Sequence, residues 1–287
     1  YNLYGDLSWR VMETLRMLLH DHNKTKVEVY SVDEAFIDLG HIPPDDLFNY
    51  ALHLRKTVEQ WTGISVSIGV APTKTLAKLA NYLAKKEKAA TQCVQVIADR
   101  EEQARVLQTT RIENIWGIGH AYTSQLINQG ITSAWQLSRM PEEWAHRHLG
   151  GVTGVRLIRE LNGTTGKIME QPLVSKKMIA TTRMFGQPVT NINDIKEAVA
   201  TYISRAAEKL RRQHCAASTV SVFIVPKGSH HKADFHYGHT VSSYTHLPAA
   251  TSFTQELIKP AIQLVDKLYE TGKSYKKAGV MLSGLVP

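Results

Sequence analysis

Hydrophobic positions change their period repeatedly along the chain, and each change marks an element. Between Ser8 and Leu19, the residues Val11, Leu15, Leu18 and Leu19 share one face at helical spacing. From Val27 the period drops to two. Val27, Val29 and Ser31 alternate with Glu28, Tyr30 and Val32, and Asp33 and Glu34 then intervene before the apolar run Ala35 to Leu39. That pattern predicts a β-hairpin with two acids at its bend. Pro43 and Pro44 open a helix reaching Trp61, because proline is preorganised for a first helical turn. Ile64 to Val70 reads as a buried strand. Thr73 to Lys86 reads as a helix turning Leu76, Leu79, Ala80 and Leu83 inward.

From Glu101 to Asn162 the pattern is helical throughout, with connectors carrying Gly117, Gly119, Gly130, Gly150 and Gly151. The polar stretch Gly163 to Lys177, with Gly163, Gly166 and Pro172 and no aliphatic period, reads as a linker. Beyond it, strand signals at Lys177–Phe185, Ser218–Val225 and Tyr275–Leu282 frame helices at Ile192–His214 and Phe253–Glu270. The order predicts a separate α+β domain, and the whole chain reads as an α+β multidomain protein.

Composition narrows the class. With 287 residues, 43% hydrophobic and 21% charged, the chain can bury more than one core. No apolar run approaches the roughly 18 residues that cross a bilayer, and Tyr1 to Asp6 lack the order of a secretory signal, so no membrane partner is expected and the cytoplasm is the default compartment. Cys93 and Cys215 have neither CxxC spacing nor a histidine partner, so they read as small buried hydrophobes. The five tryptophans, at 9, 61, 116, 135 and 144, mostly fall on apolar faces and read as core. The net charge of +8 is uneven: residues 1–167 hold 19 basic against 18 acidic side chains, and residues 168–287 hold 15 against 8. A basic module joined to a neutral one points to a polyanion such as nucleic acid.

Two acids at the end of a strand can aim carboxylates at one hard cation, which suits magnesium, although an exposed turn also favours Asp and Glu. The longer strings around them decide. Tyr30-Ser31-Val32-Asp33-Glu34-Ala35-Phe36-Ile37-Asp38-Leu39, followed by Ser67-Ile68-Gly69-Val70-Ala71-Pro72-Thr73-Lys74-Thr75-Leu76-Ala77-Lys78-Leu79-Ala80-Asn81, closely resembles the palm signature of Y-family translesion DNA polymerases of the UmuC type. Trp116-Gly117-Ile118-Gly119-His120 resembles a helix-hairpin-helix turn, in which glycines let backbone N–H groups approach a phosphate. Thr182-Arg183-Met184-Phe185-Gly186 and Tyr275 to Leu282 look like the family's little finger.

The resemblance implies a partial palm over 1–100, an all-α helix-hairpin-helix thumb over 101–165, a linker over 166–176 and an α+β little finger over 177–287. It implies template-directed nucleotidyl transfer past damaged bases in the SOS response, by a DNA-directed DNA polymerase with two Mg2+ ions in the complete enzyme. Asp33 and Glu34 would be the catalytic metal ligands. Lys85, and secondarily Lys74, would meet the phosphates of the incoming deoxynucleotide. Gly117, Ile118, Gly119 and Arg183 would meet DNA. Damaged primer-template, a cleaved UmuD dimer and a RecA filament would be the partners, in a nucleoid-associated bacterial protein.

Family palms use a third carboxylate on an N-terminal strand ahead of the fingers. That strand is not in this sequence, so the chain by itself is expected to bind DNA weakly and to polymerise little. A non-catalytic DNA-binding fragment or degenerate polymerase is the alternative. A nucleotide cyclase lacks support because Ser31-Val32 stands where two glycines belong, and a base-excision glycosylase because Gly117 to Gly166 contains no Asp. His230, His231, Asp234, His236 and His239 fall in an expected hairpin loop and read as solvated rather than metal-binding.

Overall fold

The computed structural model describes residues 2–19, 26–166, 168–169, 177–227 and 240–287, so the histidine cluster between 230 and 239 lies outside the described residues. The chain forms two compact units, Tyr1–Pro172 and Leu173–Pro287.

In the first unit, helix α1 (Asn2–Leu19) precedes a hairpin of β1 (Val27–Val29) and β2 (Ala35–Ile37), paired antiparallel with Glu28 opposite Phe36. The period of two sorts the hairpin's faces. Val29, Ala35 and Ile37 pack against Met12 and Leu15 of α1 and against Val58, leaving Glu28 and Phe36 on the opposite face. Both strands are shorter than their alternating patterns predict. The N–H groups of Tyr30 and Ser31 both donate to the Glu34 carbonyl, at 2.9 and 3.0 Å, and close the turn early.

A 3-10 turn (Pro44–Asp46) leads into α2 (Leu47–Thr62), which Gly63 ends in a left-handed conformation at φ 70°. Strand β3 (Ile68–Val70) pairs in parallel with β4 (Val94–Val96), and only these residues of the expected Ile64–Val70 strand join a ladder. Between them lie α3 (Lys74–Lys86) and the single turn α4 (Lys88–Thr91). The Thr73 hydroxyl caps α3 by accepting from Leu76 N, and Lys85 and Lys86 in the last turn complement the helix dipole. Leu76, Leu79, Ala80 and Ala84 are buried. Gly69 is obligatory because a Cβ there would stand 2.1 Å from Asn81 N, so β3 lies directly on the α3 backbone.

Helices α5 (Arg100–Thr109), α6 (His120–Asn128), α7 (Ala134–Ser138), α8 (Glu142–His148) and α9 (Val152–Leu161) follow, with a 3-10 turn at Ile112–Asn114. Their core is continuous with that of α3: Leu76, Leu79 and Ala80 share a cluster with Leu107, Leu126, Leu137 and Leu161.

The second unit runs β5 (Met178–Val189), α10 (Ile192–Arg212), β6 (Ala216–Pro226), β7 (Val241–Thr251), α11 (Thr254–Leu268) and β8 (Tyr275–Val286). The antiparallel sheet has the order β5-β8-β6-β7. Val220, Val222 and Ile224 on β6 and Ala278, Val280 and Leu282 on β8 alternate inward and are fully buried with Ile203 and Leu264 of the helices. Each such Val, Leu or Ile side chain contributes on the order of 1.5–3 kcal/mol by leaving water. Among the described residues no helix is long and apolar enough to cross a membrane.

Candidate active site

The hairpin bend and α3 bring opposite charges together. Glu34 forms an ion pair with Lys78, each side chain about a quarter exposed. Asp33 is exposed, and the Ser31 hydroxyl donates to its Oδ1 at 2.6 Å. That hydrogen bond is the main reason the Asp33 carboxyl sits below its ordinary range, with the positive charges of Lys85 and Lys78 adding to it. One turn earlier on α3, Lys74 Nζ bonds Glu28 Oε2 at 2.5 Å and the Ile168 carbonyl at 2.9 Å. Lys74, Lys78 and Lys85 stand four and seven residues apart, so they line one face of the helix.

Three aromatic rings support this face. Tyr30 meets Phe36 and Trp116 edge-on, with centroids 5.7 and 5.4 Å apart. Lys74 Nζ lies 5.1 Å from the Phe36 centroid and Lys78 Nζ 5.7 Å from that of Trp116, so both ammonium groups sit in cation–π range. Trp116 thereby joins the hairpin to the turn that begins with it. Gly117 takes φ 99°, which only glycine adopts without strain, and Gly119 is the N-cap of α6. A Cβ at either glycine would meet nothing within 4 Å, so this backbone is open to approach; Ile118 between them is buried.

The two lysines singled out in the sequence differ in what they touch. Lys85 is exposed, whereas the Lys74 side chain is only 10% exposed and already has two oxygen partners. Arg183 is exposed on the edge strand β5, on the same side as Ile179 and Thr181, where its charge reaches Tyr202 of α10. It lies in the other unit from Asp33 and Glu34.

Lys78, Glu28 and the aromatic trio were not singled out in the sequence. The spacing of Lys78 to Lys85 was a usable signal, because seven residues return a helix to the same face. Trp9 and Trp61 correct the core reading: they are 65% and 55% exposed, while Trp116, Trp135 and Trp144 are half-buried. Cys93 and Cys215 are also only half-buried.

The donor set at the bend fits a hard divalent cation. Both candidate ligands are carboxylates, and water and phosphate oxygens ordinarily complete such a shell. No cluster of three or more Asp, Glu, His or Cys suited to a metal occurs among the described residues.

The impB/mucB/samB family model matches residues 1–82, and the model of that family's C-terminal domain matches residues 176–287. Protein UmuC of Salmonella typhimurium is 36% identical over 283 residues, covering 98% of this chain and 65% of the relative. Protein ImpB of Salmonella typhimurium is 33% identical over 293 residues, covering all of this chain and 66% of the relative. The chain thus spans about two thirds of the length of these relatives. A solved Y-family DNA polymerase chimera superposes with a TM-score of 0.77 at 20% identity, covering 99% of this chain and 77% of the other, a likeness of fold. With the two family models together taking in more than half of its residues, this chain belongs to the impB/mucB/samB family.

Proposed function

We propose that the protein is a DNA-directed DNA polymerase that transfers deoxynucleotides onto a primer 3′ end opposite damaged template bases in the SOS response. The observation that carries this reading is the convergence at the bend. Two carboxylates, one exposed and held in its ionised form, face a helix whose lysines reach them from one side.

In this reading Asp33 and Glu34 hold magnesium, and Lys85, exposed and within electrostatic reach of Asp33, contacts the triphosphate as a flexible point charge. Lys74 is a weaker contact because of its existing partners. Magnesium bound there would neutralise charge on the phosphates and favour ionisation of the primer hydroxyl. Lys78 orients Glu34, and the ring of Trp116 braces Lys78 from the thumb side. The Gly117-Ile118-Gly119 turn offers backbone to a DNA phosphate, and Arg183 contacts the template backbone from the second unit. Residues 1–100 act as a partial palm, 101–165 as thumb, 166–176 as linker and 177–287 as little finger.

This reading takes a cleaved UmuD dimer and a RecA filament as partners, and work at the nucleoid in the cytoplasm. The test is primer extension across a lesion by the full-length gene product with magnesium and deoxynucleotides. Asp33→Ala and Glu34→Ala are each expected to lower synthesis at least a hundred-fold while leaving salt-sensitive DNA binding in place. Undiminished synthesis by Asp33→Ala would refute the assignment. DNA binding by the wild-type protein with no magnesium-linked synthesis would identify a non-catalytic DNA-binding protein instead.

A further inference from the structure

Glu160 is fully buried although it is a carboxylate on a helix that otherwise turns Leu157, Ile158 and Leu161 inward. A charge in such a place is costly unless its oxygens are bonded. Its Oε2 accepts from Thr75 N at 2.8 Å and its Oε1 from Gly166 N at 2.8 Å. Its carbonyl accepts the Thr73 hydroxyl at 2.8 Å, while the same hydroxyl accepts from Leu76 N at 3.3 Å.

Thr73 and Thr75 are the N-cap and second residue of α3, which carries no acid in its own first turn. Glu160 therefore supplies from 85 residues away the negative charge that a helix N-terminus favours. Its other oxygen holds the segment after α9, and two residues beyond Gly166 the Ile168 carbonyl receives Lys74 Nζ. One buried carboxylate thus ties α9, the start of α3 and the strap that reaches Lys74.

We propose that Glu160 is a positioning residue for the site: by holding the N-terminus of α3 and the strap at Gly166, it sets where Lys74 and Lys78 stand against Glu28 and Glu34. The inference rests on the proposed function only for its effect on triphosphate binding. The chemistry requires an acceptor at both oxygens. A glutamine keeps one carbonyl oxygen and turns its NH2 toward the other N–H, so it cannot replace both bonds. An aspartate keeps two acceptors but falls one methylene short.

The experiment compares wild type, Glu160→Gln and Glu160→Asp at a temperature where circular dichroism shows each folded, so that either variant serves should the other not fold. Amide exchange is followed at Thr75 and Gly166, with Val199 in α10 as reference. Acylation rates are followed at Lys74 and Lys78, with Lys196, which is paired with Asp266, as reference. The expected result is exchange at least ten-fold faster at Thr75 and Gly166, acylation of Lys74 and Lys78 at least three-fold faster, and unchanged reference sites. Faster exchange with unchanged lysine acylation would reduce Glu160 to a helix cap and overturn the proposal. So would rates rising equally at the reference sites. Affinity for magnesium–deoxynucleoside triphosphate is expected to fall at least three-fold. Failure of the full-length wild-type gene product to bind triphosphate would count against the polymerase reading, and the lysine rates would still decide the role of Glu160.

Discussion

Both units have apolar cores, but they tie their strands down in different ways. The second is built on strands of 11 or 12 residues whose alternate side chains meet two helices in one apolar cluster. The first, among its described residues, uses four strands of three residues each, in separate two-stranded pairs, and ties its hairpin to α3 through Glu28–Lys74 and Glu34–Lys78. Two short strands alone are marginal in water. Apolar burial is non-directional and serves a scaffold, whereas ion pairs fix direction, which a site for charged ligands needs. The contrast places the candidate chemistry in the less regular unit.

Fluorescence separates the units, because all five tryptophans precede residue 173. The largest effect is expected in the apolar unit. Ile203→Ala, at a fully buried position of α10, should cost about 2–5 kcal/mol through lost transfer energy and the cavity left behind. In a urea titration its loss should appear in circular dichroism while the tryptophan transition keeps its wild-type midpoint. A tryptophan midpoint that moves equally would break the comparison and show that the units unfold as one.

Lys74→Met exchanges the roles. It removes a charged partner of a nearly buried Glu28 and should cost about 1–3 kcal/mol, the range for weakening a charged hydrogen bond in a dry setting. The tryptophan midpoint should fall and the α10 amides should keep their exchange rates. An unchanged midpoint would mean that apolar packing alone holds the hairpin.

The parts of this contrast were not equally visible in the sequence. Strand alternation over many residues made β6 and β8 legible, and an amphipathic period made α3 legible to within a residue. The three residues of β4, Val94–Val96, are too few to carry a period. The acids at 33 and 34 were singled out by the string around them. The partner of Thr75 was not, because no local rule joins residues 85 apart. Its one trace was an acid among Leu157, Ile158 and Leu161 on an inward helix face, where burial demands a bonded partner.

A smaller effect tests whether local caps share in holding the first unit. The Ser133 hydroxyl accepts from Gln136 N at 3.2 Å, and Gln136 Oε1 accepts from Ser133 N at 3.1 Å, forming a capping box. Ser133→Ala should lower the tryptophan-detected stability by about 1 kcal/mol. No change would assign α7 wholly to its buried Ala134 and Leu137.

Lys85→Ala should change stability least, by less than about 0.5 kcal/mol, because the side chain is exposed and its interaction with Asp33 is screened by water. Its expected consequence is functional. Removing the positive charge should weaken binding of magnesium–deoxynucleoside triphosphate while the urea midpoint stays in place, the reverse of Lys74→Met. Lys85→Arg keeps the charge but changes its geometry, and should recover part of the affinity. Should Lys85→Ala lose stability and keep affinity, Lys85 would join Lys74 as a pin of the hairpin, and the exposed end of α3 would no longer mark where phosphates bind.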